Sequence, residues 1–192
     1  MLGYAAYTFA LGGIAAWMPP FLERVRGLPP AAATVRFGAI VVVTGFVGTF
    51  GGGWLGDALL RRSREAYLWV SAAVTLLAAP LMLVALTATA PAIFWTAIVL
   101  AELLMFASTG PINSAIVNAV APGIRAMAVA VSIFTIHILG DVPSPALVGW
   151  ISDRRSLATA VLLLPAAAFL GGLVWLWAAW GADAPTPASR PA

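Results

Sequence analysis

Three ionisable side chains, Glu102, His137 and Asp141, lie inside long apolar stretches of this sequence. An ionisable group inside a bilayer is costly, so each of them requires a specific role. His137 and Asp141 are four residues apart, which puts them on one face of a helix, and Ser144 extends that face. Histidine is the side-chain type that changes charge near neutral pH. We therefore interpret His137 and Asp141 as a candidate proton-binding pair.

Glu102 belongs to a second polar stripe, because Thr109 and Asn113 follow it at spacings of seven and four residues. The segments that carry the two stripes meet at a turn near Pro122 and are predicted to form an antiparallel hairpin. Positions equally distant from that turn lie side by side, which puts Glu102 close to the depth of Asp141. The sequence thus predicts two carboxyl groups and an imidazole in one layer.

Two interpretations of these polar residues remain open. In the first they form hydrogen bonds between helices, each contributing about 0.6 kcal/mol, and we favour this for Thr109 and Asn113. In the second they line a cavity, and we favour this for His137 and Asp141. Three helix-breaking residues interrupt the stretch that holds the pair: Gly140, Pro143 and Pro145. Broken helices at membrane depth usually line a cavity.

Enzyme chemistry is not favoured by the same residues. A serine nucleophile needs histidine within hydrogen-bond reach, whereas His137 and Ser144 would lie about 10 Å apart along a helix axis. A metal site needs three or four ligands, and the chain has one histidine and no cysteine. No phosphate-binding glycine loop is present. We predict no enzyme activity, no metal site and no cofactor.

The composition indicates a membrane protein. Hydrophobic residues make up 62% of the 192 residues and charged residues 9%, with a mean hydropathy of +0.99. A soluble domain has roughly 25% charged residues. The basic pI, about 10.2, does not indicate nucleic acid, because the arginines lie in short gaps between apolar runs, where lipid head groups are the natural anions.

Six apolar segments are long enough to cross a bilayer as helices. Their predicted ranges are 2–22, 37–56, 66–88, 92–120, 126–151 and 157–181. Strands of a membrane barrel would be about 10 residues long with alternating polarity, which these runs are not. The predicted fold is an all-α six-helix membrane bundle over 1–181, followed by a disordered tail over 182–192. The uncharged start of the chain leads us to expect a piece of a longer protein.

Two similar pentapeptides end the second and fifth segments. Gly53-Trp54-Leu55-Gly56-Asp57 is matched 96 residues later by Gly149-Trp150-Ile151-Ser152-Asp153. Three helices separate them, so they should lie on opposite sides of the membrane. This pattern predicts a three-plus-three inverted repeat, although so short a motif also arises by coincidence.

The first pentapeptide, followed by Arg61-Arg62, resembles the loop signature of major-facilitator transporters, from which it departs at Ala58. Residues 3–13 with Trp17-Met18-Pro19 resemble the seventh helix of spinster-like members of that superfamily. Residues 137–145, His-Ile-Leu-Gly-Asp-Val-Pro-Ser-Pro, resemble that family's eleventh-helix motif. The resemblance covers residues 3–155 in the family's order.

The resemblance implies the C-terminal half, helices seven to twelve, of a secondary transporter. A missing N-terminal half, in the same longer chain or a separate subunit, or a second copy of this chain would complete it. It implies an amphiphilic, lipid-like small-molecule solute and points to proton coupling. The candidate residues for solute or proton contacts are His137, Asp141, Glu102, Ser144 and Asn113. The candidate gating residues are Gly53, Asp57, Arg61 and Arg62.

Orientation is not fixed by charge, because the loops on each side hold five arginines. The resemblance implies a multi-pass protein of the cell (inner) membrane with both termini and the loop at Arg61 in the cytoplasm. The rival interpretation is a non-transporting membrane scaffold or the remnant of a truncated gene.

Overall fold

The computed structural model describes residues 1–63 and 65–182, and every regular element in these ranges is helical. The predicted disordered tail lies outside the described residues, apart from its first residue. The elements are α1 (Leu2–Arg24), α2 (Pro30–Leu60), α3 (Ala66–Thr87), α4 (Pro91–Asn118), a 3-10 turn (Pro122–Ile124), α5 (Arg125–Ile136), a π-helical turn (His137–Asp141), α6 (Pro143–Arg154), α7 (Leu157–Ala160) and α8 (Leu163–Ala182).

Six helical spans are long and apolar enough to cross a membrane, which confirms the predicted six-helix architecture. They are α1, α2, α3, α4, a fifth span over Pro122–Arg154 and a sixth over Leu157–Gly181. The sixth span is divided at residues 161–162. Pro165 has no N–H to donate to the Val161 carbonyl, and the Leu164 N–H donates to that oxygen instead at 3.1 Å.

The second helix is longer than the predicted 37–56, since it runs from Pro30 to Leu60. Pro30 occupies the first turn, where a missing N–H is tolerated. Arg36, which comes just before the predicted range, lies inside α2 and is exposed. Its long side chain can carry the charge toward the head groups, so the arginine does not have to end the helix.

Glycines of α2 bring it close to α4. Gly48 and Gly52 are four residues apart and face α4. A Cβ on Gly48 would lie 2.6 Å from the Leu103 carbonyl oxygen, and one on Gly52 would collide with the Ala107 carbonyl. The Ala107 carbonyl has no intrahelical N–H four residues on, because that position is Pro111. Small residues at this spacing allow two membrane helices to pack backbone to backbone.

The end of α1 is fixed by a glycine and an arginine. Gly27 has a φ of +70°, and the Leu28 N–H reaches back to the Leu22 carbonyl at 3.0 Å. The Arg26 guanidinium donates to the Ala88 carbonyl at 2.6 Å and to the Ala85 carbonyl at 2.9 Å. The loop after α1 is therefore attached to the last turn of α3.

The spans pack in the spatial order fifth span, α1, α8, α3, α4, α2. Within the apolar stretch of each span, 11% of the residues are buried in the fifth span and 22% in α2, against 39% to 56% in the other four. The core consequently lies among α1, α3, α4 and α8. Most apolar side chains of the fifth span and α2 are exposed or only partly buried.

The two pentapeptides lie at opposite ends of the bundle. Gly56, in the first, packs on the Tyr67 ring at the beginning of α3, in the region where Met1 also lies. Gly149, in the second, packs against the Trp17 ring in the second half of α1. This placement agrees with the predicted inverted repeat.

Candidate functional site

The fifth span is interrupted by a π-helical turn at His137–Asp141. The Val142 N–H donates to the His137 carbonyl at 3.1 Å, five residues back instead of four. Pro143 and Pro145 come immediately afterwards and have no N–H to continue the regular pattern. Where the sequence predicted a break, the structure therefore widens the helix by one residue. Such turns occur frequently at functional sites.

His137 and Asp141 are in direct contact. The His137 Nδ1 atom lies 2.9 Å from each carboxylate oxygen of Asp141. The side chains are 54% and 34% exposed, respectively. The structure thus joins the two residues that the sequence placed on one face, and it leaves them on an uncovered side of the bundle.

Side chains of α1 bind the backbone on both sides of this turn. Thr8 Oγ1 lies 3.2 Å from the Ile136 carbonyl oxygen, just before the turn, and shares its one proton between that oxygen and two nearer carbonyls of its own helix. Trp17 Nε1 donates to the Pro145 carbonyl at 3.0 Å, just after it. A side chain at Gly12 would collide with Asp141. The π-helical turn therefore packs against α1 where Gly12 has no side chain, and the position of Asp141 depends on that close approach.

Ser144 does not lie on the face of His137. It is fully buried and donates to the Phe9 carbonyl at 2.6 Å. In a straight α-helix residues seven apart share a face, but the extra residue of the π-turn rotates the next segment by about 100°. The expected continuation of the His137 face therefore fails at Ser144, which attaches α6 to α1.

Glu102 lies in the interior of the bundle. It is 1% exposed, and its Oε1 atom has no hydrogen-bond partner in the part of the chain that the structure describes. It precedes Met105, whose carbonyl accepts from the Tyr7 hydroxyl at 2.7 Å. Among the described residues no hydrogen bond or ion pair joins Glu102 to His137 or Asp141. The two carboxyl groups therefore occupy different environments, one enclosed and one open.

Asn113 takes part in a chain of hydrogen bonds whose tyrosine partners in α1 the sequence analysis did not identify. Its Nδ2 donates to the Tyr4 hydroxyl at 3.2 Å and to the Thr109 carbonyl at 2.8 Å. The Thr109 hydroxyl lies 3.1 Å from the Tyr7 hydroxyl. The signal available in the sequence was Tyr4 and Tyr7, three residues apart in an apolar helix. A buried tyrosine hydroxyl usually forms a hydrogen bond, so the two residues indicated polar partners nearby. These contacts match the interhelical interpretation favoured for Thr109 and Asn113.

The candidate gating residues lie at the end of α2. Asp57 is exposed, and its Oδ1 accepts from the Tyr67 hydroxyl at 2.7 Å. Gly53 packs against Gly110 of α4, whose Cβ position would lie 3.4 Å from the Gly53 Cα. Arg61 and Arg62 are exposed. Ala58, where the family signature is usually basic, is exposed as well.

No protein-family model matches the chain. Over 91% of its length it is 34% identical to the probable sphingolipid transporter spinster homolog 3 of Arabidopsis thaliana, of which it covers 34%. It is 31% identical to the sphingosine-1-phosphate transporter SPNS2 of Mus musculus, over 91% of this chain and 37% of that protein. The chain spans about a third of the length of the curated relatives it matches.

Solved structures show the same fold. A bacterial homolog of the human lysosomal transporter spinster, inward-facing and unoccupied, superposes with a TM-score of 0.68 at 22% identity. The match covers 93% of this chain and 44% of that one. An occupied inward-facing structure gives a TM-score of 0.66.

Proposed function

This chain is similar in sequence and in fold to the spinster-like transporters of the major facilitator superfamily, and we propose that it forms one half of a secondary transporter. In such transporters two bundles rock against each other around a site near the bilayer midplane. This chain supplies one bundle of six spans. The proposed activity therefore requires a second bundle, from the same polypeptide, a second subunit or a second copy.

The exposed pair of His137 and Asp141 carries this proposal. Both residues lie within an apolar span of membrane length, yet their side chains are 54% and 34% exposed. Ionisable groups in a membrane almost always face the bundle interior or a water-filled cavity. A lipid-facing position is thus disfavoured, and a second bundle would enclose the pair in a cavity between the two halves.

Exposed aromatic side chains are proposed to contribute to the surface that the second bundle covers. Phe46, Phe50 and Trp54 recur at intervals of four along α2, and all three are highly exposed. Phe134 is exposed on the fifth span. Apolar walls with a few polar groups are typical of sites for small ligands, and they suit an amphiphile. We propose a single-chain sphingolipid as the solute, the class named for the relatives in Arabidopsis and mouse.

Proton coupling is proposed for His137 and Asp141, with Glu102 as a second carboxyl group. The open position of the pair lets it exchange protons with a hydrated cavity, and contact at 2.9 Å links the charges of the two residues. Glu102 has an unpartnered buried oxygen, which makes its charge state sensitive to water entering the bundle. Loss of Glu102 should affect coupling less than loss of either residue of the pair.

Asp57, Gly53, Arg61 and Arg62 are proposed to dock on the second bundle and to close one end of the cavity. By analogy with the family, this end and both termini face the cytoplasm, with the protein in the inner membrane. The exposure of Asp57 and of both arginines fits such a contact.

Reconstitution tests the proposal. The protein is purified from its own membranes in mild detergent, and mass spectrometry identifies the bundle that is continuous or associated with it. Vesicles with this chain alone and vesicles with both bundles are then compared for uptake of a fluorescent sphingosine. We expect uptake only with both bundles. Uptake by the isolated monomer would contradict the half-transporter proposal, and no uptake of any amphiphile by the assembly would favour a scaffold.

A further inference from the structure

The carboxylate of Asp57 is held from its own bundle by a residue that the family motif does not contain. Tyr67, in the first turn of α3, donates its hydroxyl proton to Asp57 Oδ1 at 2.7 Å. The Tyr67 ring is 8% exposed, while Asp57 itself is exposed. A hydrogen bond to a carboxylate is shorter and stronger than one between neutral groups. An exposed acid is thus bonded to a tyrosine whose side chain is largely packed inside the bundle.

The ring that makes this bond is itself fixed. A Cβ on Gly56 would lie 2.8 Å from Tyr67 Cδ1 and 3.1 Å from Cε1, so the ring fills the space that the glycine leaves. The same Cβ position lies 3.4 Å from Pro111 Cγ of α4. Gly56 is therefore in contact with both the Tyr67 ring and α4. The Tyr67 hydroxyl oxygen has a defined position even though the acid it binds is at the surface.

The bond occupies one carboxylate oxygen and leaves the other available. Oδ2 of Asp57 has no hydrogen-bond partner among the residues that the structure covers. The equivalent acid of the second pentapeptide, Asp153, has no partner of this kind in the same residues. There Arg154 lies over the Trp150 ring at 3.9 Å. Only the first of the two copies, within these ranges, has a fixed carboxylate.

We propose that Tyr67 is a positioning residue for Asp57, turning its free oxygen outward so that it meets the second bundle when this end of the transporter closes. The proposal rests on the gating role given to Asp57 above. Without the Tyr67 hydroxyl, the carboxylate can rotate about its side-chain bonds. The closed state then loses a preorganised contact, and the end near Met1 is open for a larger fraction of the time.

The test measures opening at this end with a reporter cysteine. Because the chain contains no cysteine, Asn118→Cys introduces a single reactive thiol in this bundle, and Asn118 lines the cavity that Met1 and Tyr67 also border. The assembly with the second bundle, whose own cysteines are replaced, is labelled with a maleimide in membranes. The variants are Tyr67→Phe, Asp57→Asn and the double variant. Membrane abundance is measured for each.

Gly56→Ala adds a variant that keeps both polar groups but displaces the Tyr67 ring. Gly51→Ala, in the same helix, is its matched control, because a Cβ on Gly51 has no neighbour within 4 Å among the described residues. We expect Tyr67→Phe, Asp57→Asn and Gly56→Ala each to raise the labelling rate by about three- to tenfold. Gly51→Ala should label like the parent. The double variant should label no faster than Asp57→Asn alone, since Tyr67 acts through Asp57.

Three results would overturn the proposal, and they separate its failure from that of the gate. A raised rate in Asp57→Asn with an unchanged rate in Tyr67→Phe removes the positioning role and keeps the gate. Additive effects in the double variant show that Tyr67 acts independently of Asp57. Unchanged rates in both single variants refute the gating role of Asp57, and the positioning role with it.

Discussion

Trp17 donates its indole N–H to the Pro145 carbonyl at 3.0 Å, which ties α1 to α6 just beyond the π-helical turn. The fifth span has the smallest buried share of the six. This side-chain bond and those of Thr8 and Ser144 therefore add to the packing that attaches the fifth span to α1.

Trp17→Phe should loosen that attachment. The substitution keeps an aromatic ring and removes the donor, so we expect a loss of about 1 kcal/mol of stability and a fall in Tm of about 2–4 °C. Trp177→Phe is the matched control, because Trp177 is 75% exposed on α8. Thermal unfolding in detergent, monitored by size-exclusion chromatography, measures both. An equal shift in the two variants would show that the bond adds nothing.

Two adjacent glycines of α2 should respond oppositely to alanine. A Cβ at Gly52 collides with the Ala107 carbonyl, whereas one at Gly51 has no neighbour within 4 Å. Gly52→Ala is expected to destabilise the bundle by about 1–3 kcal/mol through forced separation of α2 and α4. Gly51→Ala should be neutral or slightly stabilising, because alanine favours the helix. Denaturation of both variants in the same detergent decides the matter, and similar values would contradict the close packing of α2 on α4.

Arg26 is expected to stabilise the C-terminal end of α3 rather than to bind a solute. Its guanidinium donates to two carbonyls at 2.6 and 2.9 Å and lies 4.7 Å from the centre of the Phe94 ring. Arg26→Gln should cost about 2 kcal/mol. Arg36→Gln removes the same charge from an exposed position and should leave the unfolding temperature nearly unchanged. A matching loss in both variants would indicate a general charge effect.

His137→Ala and Asp141→Asn should each abolish uptake or its pH dependence in the assembled transporter, while the protein still reaches the membrane. The two side chains are in contact at 2.9 Å, so removing either one takes away the hydrogen-bond partner of the other. Uptake is measured between about pH 5.5 and 7.5, the range in which histidine changes charge. Thr135→Ala serves as the control, since among the described residues Thr135 bonds only to the Val131 carbonyl of its own helix. Full uptake with an unchanged pH profile in both variants would leave the pair a structural role.

Orientation can be read from single cysteines at Ser63 and Ala31. An impermeant thiol reagent added to intact cells should label Ala31→Cys and spare Ser63→Cys, if the α2–α3 loop is cytoplasmic. Ala31 is exposed in the first turn of α2, so a thiol at this position is accessible to the reagent from the side of the membrane that it faces. Labelling after permeabilisation confirms that position 63 is reactive, and the reverse pattern on intact cells would invert the proposed topology.

The spans could be predicted from the sequence because a run of about twenty apolar residues has one solution in a bilayer. The contact of His137 with Asp141 could also be predicted, from a spacing of four. The position of Ser144 could not, because a π-turn rotates the helix beyond it and apolar periodicity does not reveal such a turn. The bond from Tyr67 to Asp57 could not be predicted either. It depends on the approach of two helices at Gly56, and the sequence shows only a glycine among many.

The π-helical turn also adds one residue to the fifth span that a regular α-helix of the same length would not contain. If its ring of five residues closed to the ordinary four, the segment from Pro143 onward would advance by about 1.5 Å and turn by about 100°. Ser144 would then leave the Phe9 carbonyl, and another side chain would face α1. The span therefore contains one more residue than a regular helix. Movement of the π-helical turn along the span is a discrete step by which the part after the turn can shift while the part before it stays in place.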